Sequence, residues 1–236
     1  MTEIPRPPDS PEPPIPLGDT GAAAGATPPP PPPPPVPAQV SDSGYPVTLT
    51  FDHPEKIARW RPLVHWLLAI PHFIVLYVIN IVASVLAFIG WFAAVFTGKI
   101  PDGIQKPIAM YLRYNARVTT YALFQREEYP PFAFDATFAD PGDDPRQRVD
   151  VVPAIEGRNR LTIFFRLFMI IPQIFVLLFV SIAAFFVMII GWFAVIILGR
   201  WPEGMNNFLI GFLRWNTRVN AYFYLLTDEY PPFSTT

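Results

Sequence analysis

Two long apolar blocks dominate the pattern of this chain. One runs from Leu63 to Phe96 without a formal charge; the other runs from Leu161 to Leu198, interrupted only by Arg166. Each exceeds the ~20 residues that one helical membrane span requires. The segment after each block has a different periodicity. From Ile104 to about Phe124, steps of 100° per residue place Lys106, Arg113, Arg117 and Thr120 on one stripe, with Ile108, Tyr111, Leu112, Val118, Ala122 and Leu123 opposite. The later segment sets Asn207, Arg214, Arg218 and Ala221 against Leu209, Phe212, Leu213, Val219 and Phe223. Ahead of the blocks, Val47-Thr48-Leu49-Thr50-Phe51 and Val149-Asp150-Val151-Val152 predict two small juxtamembrane strands.

The pattern recurs because the sequence does. Gly90-Trp91-Phe92-Ala93 returns as Gly191-Trp192-Phe193-Ala194, a displacement of 101 residues. In that register 25 of 63 positions are identical between Ile70/Ile171 and Phe132/Phe233, so one unit has been duplicated. Both copies close on an acidic pair and an aromatic-proline clasp, Glu127-Glu128-Tyr129-Pro130-Pro131-Phe132 and Asp228-Glu229-Tyr230-Pro231-Pro232-Phe233. The expected organisation is a tail (1–44), a first membrane repeat (45–132), a polar linker (133–149) and a second membrane repeat (150–236). The expected fold is an all-α membrane protein with two tandem repeats. Each repeat carries a long hydrophobic helical block, an amphipathic arginine-bearing helix and a short juxtamembrane strand.

Lys56, Arg59 and Arg61 precede the first block, and Arg146, Arg148, Arg158 and Arg160 precede the second. The positive-inside tendency sets both on the cytoplasmic side of a multi-pass cell-membrane protein, together with the tail. An even number of crossings per repeat follows, and two arrangements satisfy it. Either the block is a tight hairpin turning near Asn80 and Ser181, or one span is followed by the arginine helix crossing back. The second sets arginines near mid-bilayer at a cost of about 2.5 kcal/mol or more each, which favours the hairpin. Pro71 and Pro172 mark the expected bend.

Composition agrees with a bilayer setting, at 51% hydrophobic and only 15% charged residues. Residues 1–44 hold five acids, one base and 16 of the 31 prolines, eight of them consecutive from Pro28 to Pro35. Such a stretch cannot offset its ordering entropy by burial, so it reads as a disordered tail with a stiff polyproline II rod. It serves as a spacer or as a docking site for a cytoplasmic partner, and the spacer reading is favoured. No charged-then-apolar start predicts a cleavable signal peptide. The charge balance of −4 in the tail and +2 in the remainder, from a total of −2, does not suggest a nucleic-acid surface.

The chain resembles a family of bacterial membrane proteins known as a domain of unknown function, DUF4389. The resemblance rests on Tyr45-Pro46-Val47, Arg59-Trp60, Leu68-Ala69-Ile70-Pro71-His72, Thr97-Gly98-Lys99, Arg214-Trp215, Arg218-Val219 and Leu226-Thr227-Asp228-Glu229-Tyr230-Pro231-Pro232-Phe233. The first copy departs from the wording at Arg113-Tyr114 and Arg126-Glu127, and the second lacks the Tyr-Pro-Val opening. The resemblance implies two tandem copies of a bacterial membrane domain and supplies no activity.

Candidate chemistry centres on the repeated Arg-X-Asn-X-Arg. Arg113 and Arg117, like Arg214 and Arg218, share one helix face, where forked hydrogen bonds could grip lipid phosphates or the side chains could simply snorkel to headgroups. Asn115 and Asn216 point to the apolar side and are expected to tether each helix to a span. With no cysteine, three histidines (His53, His65, His72) and no catalytic or zinc spacing, neither an enzyme nor a metal or other cofactor is expected. The expected function is a non-enzymatic membrane interaction or organising subunit, partnered by membrane lipids and other membrane proteins. A small transporter or channel component built from a duplicated unit is the alternative.

Overall fold

The computed structural model describes residues 44–154 and 157–235. The proline-rich tail expected over 1–44 lies outside the described residues, save for Gly44. The elements in chain order are β1 (Val47–Phe51), α1 (Arg61–Thr97), α2 (Asp102–Ala122), β2 (Gln147–Val151), α3 (Arg160–Met169), α4 (Ile171–Leu198) and α5 (Glu203–Phe223). Both expected strands are present, and they pair with each other.

The turn expected near Asn80 and Ser181 does not form. α1 is one helix of 37 residues, with Pro71 inside it. Asn80 donates instead to the Tyr111 hydroxyl at 2.7 Å and the Tyr224 hydroxyl at 2.9 Å, while Ser181 bonds back to Leu177 O at 2.7 Å. With their polar groups satisfied on the helix, nothing forces the chain to turn. In the second copy the single residue Ile170 parts α3 from α4, just ahead of Pro172. The Ile170 N–H bonds Phe168 O as well as Arg166 O, so the carbonyl that the proline ring leaves open is taken locally. Both long helices stop at a left-handed glycine, Gly98 (φ 75°) and Gly199 (φ 69°), where a residue without Cβ closes the last turn.

From these glycines α2 and α5 run back along their own long helices. The order of contacts gives the direction: His65 meets Tyr121, His72 meets Tyr114, and Gly90 approaches Ile104. In the second copy Arg166 meets Tyr222, Gln173 meets Trp215, and Gly191 lies under Trp201. Each of these contacts is its counterpart displaced by 101, except that Ile104 gives way to Trp201.

The copies are joined by reciprocal contacts. Trp91 donates to Ile163 O at 3.1 Å, and Trp192 donates to Pro62 O at 3.0 Å. The C-terminal end of each long helix therefore lies at the start of the other, and the two run antiparallel. β1 and β2 pair in antiparallel register with Leu49 opposite Val149 and Thr48 opposite Asp150. Adding 101 to one member of each pair converts it into the other pair, so a pseudo-two-fold axis passes through the ribbon between them. The ribbon rests on α5 through β1 and on α2 through β2. One core cluster joins Val47, Leu49, Val149 and Val151 to Ile108, Leu112 and Ala221, and continues to Ala83 of α1. The layers are thus ribbon, arginine helices, long helices.

Exposure follows those layers. Large apolar side chains are exposed along α1 and along α3 and α4, including Ile74 at 63% and Phe179 at 57%. α2 and α5 are the enclosed layer: Tyr114, Val118, Leu209 and Ala221 are fully buried.

Candidate functional site

The arginine helices carry the chemistry that the sequence singles out, and burial decides what that chemistry does. Arg113 is 2% exposed and Arg117 1% exposed. Arg113 donates to the carbonyls of Asp135 and Thr137 at 3.1 Å and Ala139 at 3.2 Å, with its Nε 3.3 Å from Asp140 Oδ2. Arg117 donates to Asp140 Oδ1 at 3.2 Å. Arg126 pairs with Asp144. The aspartates are fixed in turn: Asp140 accepts from Val149 N and Gly142 N at 2.9 Å, and Asp144 accepts from Arg146 N at 3.0 Å and Gln147 N at 3.2 Å. Burial pulls the Arg113 guanidinium below its ordinary range, with Asp140 opposing.

The carboxylates of the 140–144 turn therefore occupy the positions expected for lipid phosphates around Arg113 and Arg117. Segment 133–149, expected as an aqueous linker, folds onto α2 and encloses these side chains. In the second copy the guanidinium groups meet the ribbon instead. Arg214 donates to Leu49 O at 3.2 Å, and Arg218, 5% exposed, lies 6.0 Å from the Tyr45 ring centroid.

Of the expected tethers, Asn216 turns back to its own helix: its Oδ1 accepts from Asn220 one turn on. At Asn115 the backbone carbonyl accepts from the Thr119 hydroxyl at 2.7 Å. Their neighbours do the tethering. Tyr114 shares a 2.7 Å hydrogen bond with His72, and Trp215 donates to Gln173 at 2.9 Å. The clasps cover both tethers: Phe132 stacks on His72 at 4.2 Å, and Gln173 donates to Pro231 O at 2.5 Å. Two turns earlier, His65 stacks on Tyr121 at 4.4 Å where Arg166 lies over Tyr222 at 4.3 Å. The residue types on the long helices differ, so the sequence signal for these pairs is the shared displacement of 101.

Beyond α2 and α5, Phe124 (φ 57°) and Leu225 (φ 65°) occupy left-handed backbone that costs a residue with Cβ about 1–2 kcal/mol. Each offers its carbonyl to a side chain of the other copy, and Leu225 also to Arg158 of its own. Phe124 O accepts from Trp201 Nε1 at 2.7 Å; Leu225 O accepts from Arg158 at 2.7 Å and Gln105 at 3.3 Å. Burial lowers Arg158 to about 10, with Asp228 opposing.

A model of a domain of unknown function, DUF4389, matches residues 59–133 and 160–235. No curated protein and no solved structure matches the chain. The two matched stretches are the two copies related through the ribbon, and the chain belongs to the DUF4389 family, which it carries as a tandem pair.

Proposed function

We propose that this chain is an integral membrane protein without catalytic activity, an interaction or organising subunit held along one leaflet by α1 and α3–α4. The carrying observation is the distribution of exposed apolar surface. The windows apolar enough to span a membrane, within Arg61–Thr97 and Arg160–Leu198, are only 11% buried, whereas a core helix of that composition would be covered. The ribbon, the 133–149 segment and the proline-rich spacer then belong to the cytoplasmic side.

Orientation follows from two facts that upright crossings cannot reconcile. The basic lead-ins at Lys56–Arg61 and Arg158–Arg160 favour the same side. The long helices are antiparallel, so two upright spans would set those lead-ins on opposite sides. With the pseudo-two-fold axis along the membrane normal, both lead-ins and the ribbon share one side. The 37 residues of α1 also reach about 55 Å, well past a ~30 Å hydrocarbon core.

A second reading, a small transporter or channel component, draws on the same antiparallel relation, because inverted repeats flank substrate sites in transporters. Asn80, Tyr111, Tyr224 and Ser84 would supply its polar interior. Alkaline carbonate should leave the protein in the membrane fraction; complete release would overturn both readings. The chain lacks cysteine, so single cysteines at Asp102, Glu203 and Asp143 report cleanly. Labelling of all three from the cytoplasmic side alone supports the in-leaflet arrangement. Labelling of positions 102 and 203 from opposite sides would replace it with the transporter arrangement.

A further inference from the structure

The chain end of one copy meets the chain start of the other at two junctions, and among the described residues only one of them carries a triad of cations without an ion pair. Ile57 N donates to Gly199 O at 2.8 Å, joining the lead-in of α1 to the end of α4. Around this bond lies a cavity of about 630 Å³ lined by Lys56, Arg59, Arg200, Glu127, Gly199 and Leu198. That volume falls within the range of small-molecule sites. Lys56, Arg59 and Arg200 are exposed and make no ion pair among the described residues. The one acid, Glu127, accepts the Ala58 N–H through Oε1. Three cations against one carboxylate leave a net charge of +2. Leu198, 54% exposed, continues from the cavity floor into the apolar surface of α4.

We propose that this cavity is a binding site for an anionic phospholipid headgroup with two negative charges. The proposal rests on the membrane reading above. Two guanidinium groups and an ammonium line this one cavity, offering the fork-shaped donors and the mobile point charge that suit a phosphate. A net charge of +2 is balanced by a phosphomonoester better than by one phosphodiester. The apolar border at Leu198 gives acyl chains a path along α4, which a soluble phosphate compound would not use. Basic pockets beside membrane helices recognise acidic lipids by this combination of charge and apolar rim.

The pseudo-two-fold supplies an internal control. Arg59 and Arg200 correspond to Arg160 and Lys99, but Lys56 corresponds to Gly157 and Ile57 to Arg158. Arg158 turns inward, 3.4 Å from Asp228, so the second junction lacks the triad.

The test uses the full chain in phosphatidylcholine nanodiscs doped with phosphatidic acid, with retained lipids counted by native mass spectrometry. The intact chain should retain phosphatidic acid over phosphatidylcholine. A Lys56→Gln/Arg59→Gln/Arg200→Gln variant should retain it about a hundredfold more weakly, from ~1 kcal/mol per cation near the surface. Lys99→Gln/Arg160→Gln should match the unmodified chain. Equal losses in both variants would reduce the effect to diffuse attraction and overturn the site. Displacement by glycerol phosphate at matched concentration would overturn the lipid assignment in favour of a soluble phosphate. Carbonate-resistant membrane residence without any phosphatidic acid preference would sink this inference and leave the membrane reading standing.

Discussion

The two copies answer one packing problem with different chemistry. At the positions where each long helix meets its returning helix, the first copy uses His65 on Tyr121 and His72 on Tyr114, and the second uses Arg166 on Tyr222 and Gln173 on Trp215. What is retained is an aromatic ring on the returning helix and a planar, nitrogen-bearing group on the long one. The geometry therefore asks for a polar clamp at a fixed height, not for a particular residue. His72, Arg166 and Gln173 are tolerated between apolar helices because they are hydrogen-bonded, and bonds across the seam fix register; His65 meets its partner by ring stacking.

The larger divergence lies in the arginine helices. In the first copy Asp140 and Asp144 of the following 133–149 segment close over Arg113, Arg117 and Arg126. In the second copy Arg214 and Arg218 look to β1 and Tyr45 instead. The first copy's arginines thus hold a loop, and the second copy's hold a strand.

Replacing Asp140 should break this comparison most severely. Asp140→Ala leaves two buried guanidinium groups without their shared carboxylate, a loss of about 3–5 kcal/mol. Chemical denaturation in detergent should show it, along with faster proteolysis in the 133–149 segment. A loss no larger than that of Arg214→Met would mean that the two helices are equivalent after all.

The matched glycines offer the next contrast. A Cβ on Gly191 would sit 1.8 Å from Trp201 Cζ3, whereas on Gly90 it would sit 3.2 Å from the Cγ2 of Ile104. Trp201 is held by its bond to Phe124 O and cannot swing aside freely. Gly191→Ala should therefore destabilise by about 1–3 kcal/mol or more through overpacking. Gly90→Ala should come out near neutral, since the ~1 kcal/mol gain in helix propensity offsets a mild contact. Thermal melts of the pair measure the difference, and equal melting temperatures would contradict it.

Transplanting a clamp sharpens the comparison further. His72→Gln and Tyr114→Trp each leave a mismatched partner, while the double variant installs the pair that the second copy uses. The double variant should recover about 0.5–1 kcal/mol relative to the sum of the singles. Additive losses would indicate that the surrounding clasp, not the clamp, sets the identity of these residues.

The smallest effect concerns the acidic pair after α2. Burial works to raise the Glu128 carboxyl, but the hydrogen bond from Arg146 and the nearby guanidinium charges win and hold it below the ordinary range. A lowered folded value means that its contribution is present above the unfolded carboxylate range and is lost as pH falls through the folded one. Glu128 is 41% exposed, so solvent screening limits the effect to a few tenths of a kcal/mol at about pH 4 and below. Glu128→Gln should flatten that part of the stability profile; an unchanged acid limb would exclude the pair as its source.

By itself the sequence determined the duplication, the two apolar blocks and the two strands, because each is a local or periodic property. Apolar runs, alternation and the displacement of 101 residues can be read without knowing any partner. Only the tertiary structure decided that α1 runs straight through Asn80, since the hydroxyls that satisfy it come from Tyr111 and from Tyr224 in the other copy. It also decided that the arginine stripe is enclosed. Periodicity gives a charged stripe a direction but no partner, and Asp140-Pro141-Gly142-Asp143-Asp144-Pro145 reads as a polar turn whether it faces water or Arg117. The clamps went unread for the same reason, because His65, His72, Arg166 and Gln173 gain meaning only once an antiparallel neighbour sets a ring beside each.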